Sequence, residues 1–253
     1  MIVCLDIGNS LAKAGLFDHG RLIGRFDRET ASLGTSAEWI SWLDSCLRQL
    51  DLAPGQTDAV RCCSVVPDLQ PALESCCREL FGREPFILQA ASQQFLALDY
   101  RDPTQLGSDR LAAAIGACRR WPNEHLIVVG CGTALTFCCI DKNRRHLGGA
   151  ITAGPGLIAR SLHAGTGRLP PVAFQANPPV LGRCTQAGIQ SGLFFGLLGQ
   201  IRELSERLRA ECFAGQRVRR IGTGGYTTVL QALDVFDDVE PDLALQGLST
   251  LKT

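Results

Sequence analysis

The 253-residue chain lacks a surplus of charge of either sign, because 25 Lys and Arg face 25 Asp and Glu and the formal net charge is zero. This balance argues against a protein that holds nucleic acid through a strongly basic surface. The chain also lacks long apolar runs, and a run such as 126–129 is far shorter than the ~18 residues that a membrane span needs. We therefore expect neither nucleic acid nor a membrane among its partners.

The first residues lack a basic segment followed by an apolar stretch, so we expect no signal peptide and a cytoplasmic location. The twelve cysteines, about 5% of the chain, fall below the ~8–10% of a disulfide scaffold. They form no CxxC pair and no Cys/His group with zinc-ligand spacing. We interpret most of them as small buried side chains in a reducing cytosol. The adjacent pairs would point to opposite faces of a strand, which makes a bridge within a pair unfavourable.

Apolar patterning and turn signals predict that both halves of the chain begin with a strand, a glycine turn and a hairpin, followed by helices. In the first half we predict strands at 2–7, 12–17, 21–26, 58–65 and 85–88, and helices at 37–50 (capped by Ser36), 68–81 and 109–120. In the second half we predict strands at 126–129, 134–140, 146–151 and 217–221, and helices at 155–164, 184–210 and 242–248. The repeated order predicts two α/β domains, 1–122 and 123–253, facing one another across a cleft.

The motif Asp6-x-Gly8-Asn9-Ser10-x-x-Lys13 follows the first predicted strand. An acid at a strand end can hold a magnesium ion or its waters, and the glycine lets the turn approach phosphate oxygens. The amide and hydroxyl offer further donors, and the lysine supplies a cation for a phosphate. An ordinary hairpin with Asx-type turn residues would show the same pattern.

Two further glycine turns lie in the second half. Residues 130–136, including Thr133, lie at the end of the first predicted strand of the second half, as the first motif does in the first half. Threonine hydroxyls can bind nucleotide phosphates. Gly224 and Gly225 follow the strand predicted at 217–221, where they could pass beside an adenosine. Taken singly, each is also explained as a turn between strands.

The pattern Tyr100-x-x-Pro103-x-x-Leu106-Gly107-Ser108-Asp109-Arg110 comes directly before a predicted helix. A serine or acid at this place is common at helix starts, where it caps backbone N–H groups. The same carboxylate could act as a general base on a substrate hydroxyl, with the arginine binding an anionic group. The pattern alone leaves both interpretations open.

The whole order of motifs resembles type III pantothenate kinase. The matching elements are DxGNSxxK at 6–13, SVVP at 64–67, YxxPxxLGxDR at 100–110, GTAxT at 132–136, GGxI at 148–151, LP at 169–170, GRxT at 182–185, TGG at 223–225 and DLxLxGL at 242–248. The resemblance covers nearly the whole chain, and YxxPxxLGxDR is its most specific element. It implies two ribonuclease-H-like domains of the actin-like ATPase type, with ATP in the cleft between them.

The resemblance also implies ATP-dependent phosphorylation of pantothenate to 4′-phosphopantothenate, the first step of coenzyme A synthesis. In this interpretation Asp6, Asn9, Ser10 and Lys13 bind the ATP phosphates and magnesium, and Thr133 touches ATP. Phosphoryl transfer needs positioning, charge neutralisation and an oriented nucleophile, which such a set can supply.

On the acceptor side, the resemblance implies that Asp109 is the general base for the pantothenate hydroxyl. The pantothenate site would be lined by Tyr100, Gly107, Ser108 and Arg110. Thr185 would complete this site across the interface of a homodimer.

Three positions depart from the family pattern. Gly130 stands where an acid usually holds a potassium or ammonium ion, Cys138 where a second acid is frequent, and Ala153 where the family has proline. These losses motivate an alternative to the active kinase, a catalytically weakened relative that binds ATP or pantothenate in a regulatory role. A kinase for another small hydroxylated acid is a third interpretation that keeps the fold.

Overall fold

The computed structural model describes residues 1–251, which divide into two compact units. The first unit contains residues 1–122 and the described part of the C-terminal segment, 242–251. The second contains residues 123–241. The division at 122/123 matches the one drawn from the sequence, whereas the C-terminal segment lies in the first unit and not in the second.

The first unit is built on a five-stranded sheet in the order β3-β2-β1-β4-β5. Its strands are β1 (Ile2–Ile7), β2 (Leu11–Asp18), β3 (Arg21–Glu29), β4 (Ala59–Ser64) and β5 (Phe86–Ile87), and a short β6 (Ala97–Leu98) follows along the chain. Strand β1 is antiparallel to β2 and parallel to β4. It is apolar along nearly its whole length because this central position buries it among its neighbours. The site motif begins at Asp6, near the end of β1, and is therefore anchored on a buried central strand.

The helices of the first unit are α1 (Ser36–Arg48), α2 (Gln70–Phe81), α3 (Ser108–Arg120) and α6 (Leu243–Ser249). The expectation that Ser36 caps α1 is wrong. Thr35 is the N-cap, and its hydroxyl accepts from the Glu38 N–H while the Glu38 carboxylate accepts from the Thr35 N–H. The reciprocal pair forms because Thr35 lies three residues before a glutamate, and such caps stabilise a helix by about 1 kcal/mol.

Helix α6 belongs to the first unit because it packs closely on α3. A Cβ on Gly247 would lie 1.9 Å from the Ala112 carbonyl oxygen, and one on Gly116 would lie 2.3 Å from the Leu243 carbonyl oxygen. Only glycine at these two positions lets the helix backbones approach so closely. The Arg61 guanidinium, on β4, also donates to the carbonyl oxygens of Leu248 and Ser249 at the end of α6, at 3.2 and 2.7 Å. The composition of 242–248 predicts a helix but not these long-range contacts.

The second unit repeats the strand order of the first. Its strands are β7 (His125–Cys131), β8 (Ala134–Ile140), β9 (Arg145–Ala153), β10 (Val218–Thr223) and β11 (Asp238–Val239), and its helices are α4 (Pro155–Ala164) and α5 (Thr185–Phe213). The strands lie in the order β11-β10-β7-β8-β9. As in the first unit, the first strand pairs antiparallel with the second and parallel with the fourth. The internal repeat predicted from the sequence is therefore present as a repeated topology.

The cysteines serve mainly as packing residues. Ten of the twelve free thiols are buried, Cys212 is half-buried and Cys184 is exposed. Cys62, Cys76 and Cys77 lie in the apolar core of the first unit, and Cys139 lies in that of the second. Within residues 1–251, none of the helices combines the length and apolar character that crossing a bilayer requires.

Candidate functional site

An acid and a lysine face each other at the turn after β1. Asp6 and Lys13 are directly opposite in the register of β1 and β2, and Lys13 Nζ lies 3.5 Å from Asp6 Oδ2. Both side chains stay partly open to solvent, with exposed fractions of 20% for Lys13 and 13% for Asp6. The hairpin brings the two ends of the first motif together because residues seven apart become cross-strand neighbours.

The turn between these strands is fixed by hydrogen bonds. The Gly8 N–H donates to the Leu11 carbonyl at 3.0 Å. Thr30, buried just after β3, donates its hydroxyl to the Gly8 carbonyl at 2.7 Å and its N–H to the Ser10 carbonyl at 3.1 Å. Asn9 and Ser10 are exposed at the tip of this turn. The backbone is thus held in place while its polar tip faces outward.

Strand β4 places a thiol beside the Asp6 carboxylate. Cys63 pairs with Asp6 in the parallel register of β4 and β1, and its Sγ donates to Asp6 Oδ1 at 3.5 Å. The Cys63 side chain is fully buried. Burial, followed by the charges of Asp6 and Asp109, raises the pKa of Cys63 well above that of an ordinary thiol. Cys63 is therefore a neutral hydrogen-bond donor at this site.

Asp109 lies in the first turn of α3, close enough to Asp6 for their charges to interact. Burial is the largest cause that raises the pKa of Asp109, and the Asp6 charge raises it further. The Arg110 N–H and the Arg110 charge act in the opposite direction. A Cβ on Gly107 would lie 2.6 Å from Asp109 Oδ1, so glycine before the helix leaves room for the carboxylate. A carboxylate whose pKa is raised toward neutrality is suited to accept a proton.

The first turn of α3 is tied to the end of β4 by one side chain. The Ser108 hydroxyl accepts from the Ser64 N–H at 2.9 Å and donates to the Ser64 carbonyl at 2.8 Å. Because its single proton is given to Ser64, this hydroxyl has none left to donate to a substrate. The contact instead holds the helix start, and therefore Asp109, against β4.

Two further residues predicted for the acceptor site, Tyr100 and Arg110, differ in their burial. Arg110 is buried although it is charged, and Tyr100 is half-buried in the loop that precedes α3. Asp102 stiffens this loop, since its side chain accepts from the Thr104 N–H and hydroxyl at 3.0 and 2.6 Å. The structure thus places Tyr100, Arg110 and Asp109 along one continuous segment that leads into α3.

The second unit carries its own glycine turns beside β7. The Gly132 N–H donates to the Ala134 carbonyl at 3.1 Å, and the Thr133 carbonyl accepts from the Gly154 N–H at 2.9 Å. A Cβ on Gly154 would lie 2.2 Å from the Gly132 carbonyl oxygen, so the start of α4 packs directly on this turn. Thr133 is exposed at its tip.

The turn that contains Gly224 and Gly225 lies against the end of β7. Gly224 has a φ of +92°, and a Cβ there would lie 2.8 Å from the Cys131 carbonyl oxygen. Both facts require glycine at this position. Gly225 is exposed. Residues 222 and 223, which lie beyond the strand predicted at 217–221, complete β10.

The three departures from the family pattern occupy different settings. A Cβ on Gly130 would lie 2.5 Å from Thr136 Oγ1, so the hydroxyl of Thr136 takes the space where another side chain would begin. Cys138 is buried on β8, and Ala153 ends β9 opposite Ala134. An acid at Gly130 would require the Thr136 side chain to turn away.

Thr185 is the first residue of α5 and is exposed. Two large apolar side chains close before it in the chain, Val180 and Leu181, are 72% and 73% exposed. These two side chains leave apolar surface open to solvent.

The groups around Asp6 fit a magnesium–phosphate ligand. Carboxylate oxygen is the hard donor that Mg²⁺ prefers, and Mg²⁺ typically takes one or two carboxylates and completes its shell with water and substrate phosphate. Asp6 offers such a carboxylate beside the Lys13 cation. In the described chain, residues 1–251, no cluster of three or more His, Cys, Asp or Glu side chains could hold a metal by itself.

Sequence reasoning missed Thr30, Cys63 and Ser64. Each acts through a contact with a residue far away in the chain: Thr30 with Gly8, Cys63 with Asp6, and Ser64 with Ser108. The SVVP element that begins at Ser64 gave a signal that this strand end matters, but not what it contacts.

Three comparisons place these features among known proteins. The family model described as Type III pantothenate kinase matches residues 2–207. The chain is 40% identical over 248 residues to "Type III pantothenate kinase" of Legionella pneumophila (strain Corby), covering 98% of this chain and 96% of that protein. Two solved structures share the fold with a TM-score of 0.56 each. One, from Campylobacter jejuni, is described as a Baf family transcriptional activator (20% identity, covering 98% of this chain and 95% of that one). The other, from Sinorhizobium meliloti, is described as a 2-dehydro-3-deoxygalactonokinase (15% identity, covering 98% and 97%).

Proposed function

The chain belongs to the type III pantothenate kinase family and has its two-domain ribonuclease-H-like fold, and on this basis we propose that it transfers the γ-phosphoryl group of ATP to the primary hydroxyl of pantothenate. The product would be 4′-phosphopantothenate, the first intermediate on the way to coenzyme A. The observation that carries the proposal is the juxtaposition of Asp6, Lys13 and Asp109 in one unit, with Asp109 half-buried near the Asp6 charge.

Asp109 is the general base in this proposal. Its carboxylate takes the proton of the pantothenate hydroxyl as that oxygen forms a bond to the γ-phosphorus and the bond from this phosphorus to the bridging oxygen of ADP breaks. The raised pKa brings the carboxylate nearer to neutrality, which improves proton transfer to it. Arg110 supplies the positive charge for the pantothenate carboxylate, and Tyr100 and Gly107 line the same segment.

The turn after β1 binds the phosphates. The cation of Lys13 neutralises phosphate charge, Asn9 and Ser10 present polar groups at the tip, and the absence of a side chain at Gly8 lets the phosphates approach the backbone. Asp6 holds the divalent metal that a kinase of this family uses with ATP, and this ion supplies charge neutralisation on the transferred group. In the second unit, Thr133, Gly224 and Gly225 offer an exposed hydroxyl and open backbone to the nucleotide.

We further propose that any monovalent cation binds weakly. Gly130 supplies no carboxylate, and the Thr136 hydroxyl occupies the space beside its Cα. A site of carbonyl, hydroxyl and water oxygens without a carboxylate holds a cation less firmly. Turnover of this chain should therefore respond to potassium only at high concentration.

A homodimer is the assembly we propose. Val180 and Leu181 expose apolar surface a few residues before Thr185, where the family pattern places a residue that completes a partner's site.

The ten buried free thiols suit a reducing compartment such as the cytoplasm.

The test is a coupled assay of the purified protein with ATP, Mg²⁺ and pantothenate, repeated over a potassium titration and with a panel of other small hydroxylated acids. We expect phosphopantothenate to form, with pantothenate the preferred acceptor. Failure to form it at any salt concentration, together with tight ATP binding in calorimetry, would instead identify a binding protein. Sedimentation of the same sample measures the assembly state.

A further inference from the structure

Strand β4 contributes none of the residues assigned above to binding or chemistry, yet its last two residues contact both carboxylate-bearing segments. Cys63 donates to Asp6 Oδ1 at 3.5 Å. Its neighbour Ser64 exchanges two hydrogen bonds with the Ser108 hydroxyl, at 2.9 and 2.8 Å, immediately before Asp109. The two links reach residues that are 57 and 44 positions away in the chain.

We propose that the end of β4, Cys63 and Ser64, is a positioning element that sets the separation between Asp6 and Asp109. This inference rests on the proposed function, because it concerns the two carboxylates assigned there to metal binding and proton transfer. Cys63 and Ser64 touch neither substrate nor metal and act only through Asp6 and Ser108.

The Cys63 link fixes the rotation of a carboxylate. The thiol donates a hydrogen bond to one oxygen of Asp6, Oδ1. The other oxygen, Oδ2, lies 3.5 Å from Lys13 Nζ. Because Cys63 is fully buried and lies opposite Asp6 in the parallel register of β1 and β4, the thiol is held beside the carboxylate. Asp6 is thus held in one orientation before any metal or phosphate arrives, which lowers the ordering cost of binding.

The Ser108 link fixes the start of a helix. A single hydroxyl bonds both backbone groups of Ser64, so α3 can neither slide along β4 nor rotate without breaking one of the two bonds. Because Cys63 is adjacent to Ser64, the two links hold Asp6 and the start of α3, which carries Asp109, against the same end of β4. Phosphoryl transfer is sensitive to such spacing, because misplacement of about 1 Å can cost on the order of a hundredfold in rate.

Four variants and one matched control test the proposal. Cys63→Ala and Ser108→Ala remove the links, whereas Cys63→Ser replaces the thiol by a hydroxyl donor and Ser108→Thr keeps the hydroxyl. Cys46→Ala is the control, because Cys46 is an equally buried thiol on α1 of the same unit. The readouts are calorimetry of ADP with and without Mg²⁺, kcat and KM for ATP and pantothenate, and the thermal midpoint.

We expect Cys63→Ala to weaken binding of Mg·ADP by about two- to tenfold while leaving Mg²⁺-free ADP binding unchanged, and Cys63→Ser to restore it. Ser108→Ala should lower kcat by a similar factor without changing ADP affinity, and Ser108→Thr should recover part of it. Cys46→Ala should lower only the thermal midpoint.

Equal losses in Cys63→Ala and Cys63→Ser, unchanged Mg·ADP affinity in Cys63→Ala, or unchanged kcat in Ser108→Ala would overturn the proposal. The proposal would also be overturned if Cys46→Ala, at a similar fall in the thermal midpoint, lost as much Mg·ADP affinity or kcat as the variants at Cys63 and Ser108. A wild-type protein that binds Mg·ADP but does not phosphorylate pantothenate would contradict the proposed function alone, since the calorimetric comparison at Cys63 would still be decisive.

Discussion

Replacing Asp109 by asparagine should destroy activity and stabilise the fold. The amide is nearly isosteric with the carboxylate and can still accept from the Arg110 N–H. It cannot take a proton, and general bases typically contribute 10²–10⁴-fold to rate, so we expect kcat to fall by about that factor. Binding of Mg·ADP should change little, because Asp109 is assigned to the acceptor hydroxyl.

The stability gain follows from the direction of the pKa. Burial and the charge of Asp6 raise the pKa of Asp109 in the folded state, so the native protein binds this proton more tightly than the unfolded chain does. Stability from this group is therefore lost as the pH rises from the ordinary carboxyl pKa through the raised one. Above the raised pKa the asparagine variant avoids this loss of stability. Each tenfold difference in proton affinity between the folded and unfolded states corresponds to about 1.4 kcal/mol in the free energy of unfolding.

Urea unfolding of wild type and Asp109→Asn at several pH values, beside the kinase assay, measures both effects. The difference in the free energy of unfolding should favour the variant near neutrality and shrink as the pH falls toward the ordinary carboxyl value. Turnover within tenfold of wild type would remove Asp109 from the role of base. A variant less stable than wild type near neutral pH would refute the argument from burial.

Two further substitutions test packing described above. Gly154→Ala places a Cβ 2.2 Å from a backbone oxygen of the Gly132 turn, so ADP binding should weaken by an order of magnitude or more. Gly156→Ala is the control and should bind nearly normally, because its Cβ would meet only the ends of two side chains, Tyr226 at 2.8 Å and Arg160 at 3.7 Å. Arg61→Met removes the two hydrogen bonds to the end of α6 and should lower the free energy of unfolding by about 2–4 kcal/mol in urea titration, whereas a loss below about 0.5 kcal/mol would contradict the role given to Arg61.

Local patterns predicted much of the fold because they report on burial and turns directly. The apolar run of β1, the glycine after it and the hairpin that follows place Asp6 opposite Lys13, and this pairing needs only the period of a strand. The sequence likewise predicted that the second half repeats the order of elements of the first, and the two sheets share their strand order. At the start of α1 the sequence predicted Ser36 as the cap, and the side-chain hydrogen bonds show that Thr35 is the cap instead.

Contacts between distant residues could not be predicted in this way. Nothing near Cys63 in the sequence distinguishes a thiol that packs from one that donates to a carboxylate, and most of its eleven counterparts do pack. The same holds for the Thr30 hydroxyl, which meets Gly8 only after three strands have paired. The composition of α6 predicted a helix, but only the three-dimensional contact of Gly116 and Gly247 assigns it to the first unit.

The return of α6 to the first unit has a consequence for biosynthesis. Residues 242–251 emerge from the ribosome after the whole of 123–241, so the helix that carries Asp109 gains its α6 partner only on the order of ten seconds after it has itself been made. Until then the α3 surface around Gly116 has no neighbour to cover it. The unit that holds both carboxylates can therefore reach its final form only once the second unit has been translated, which ties the maturation of the two halves together in time.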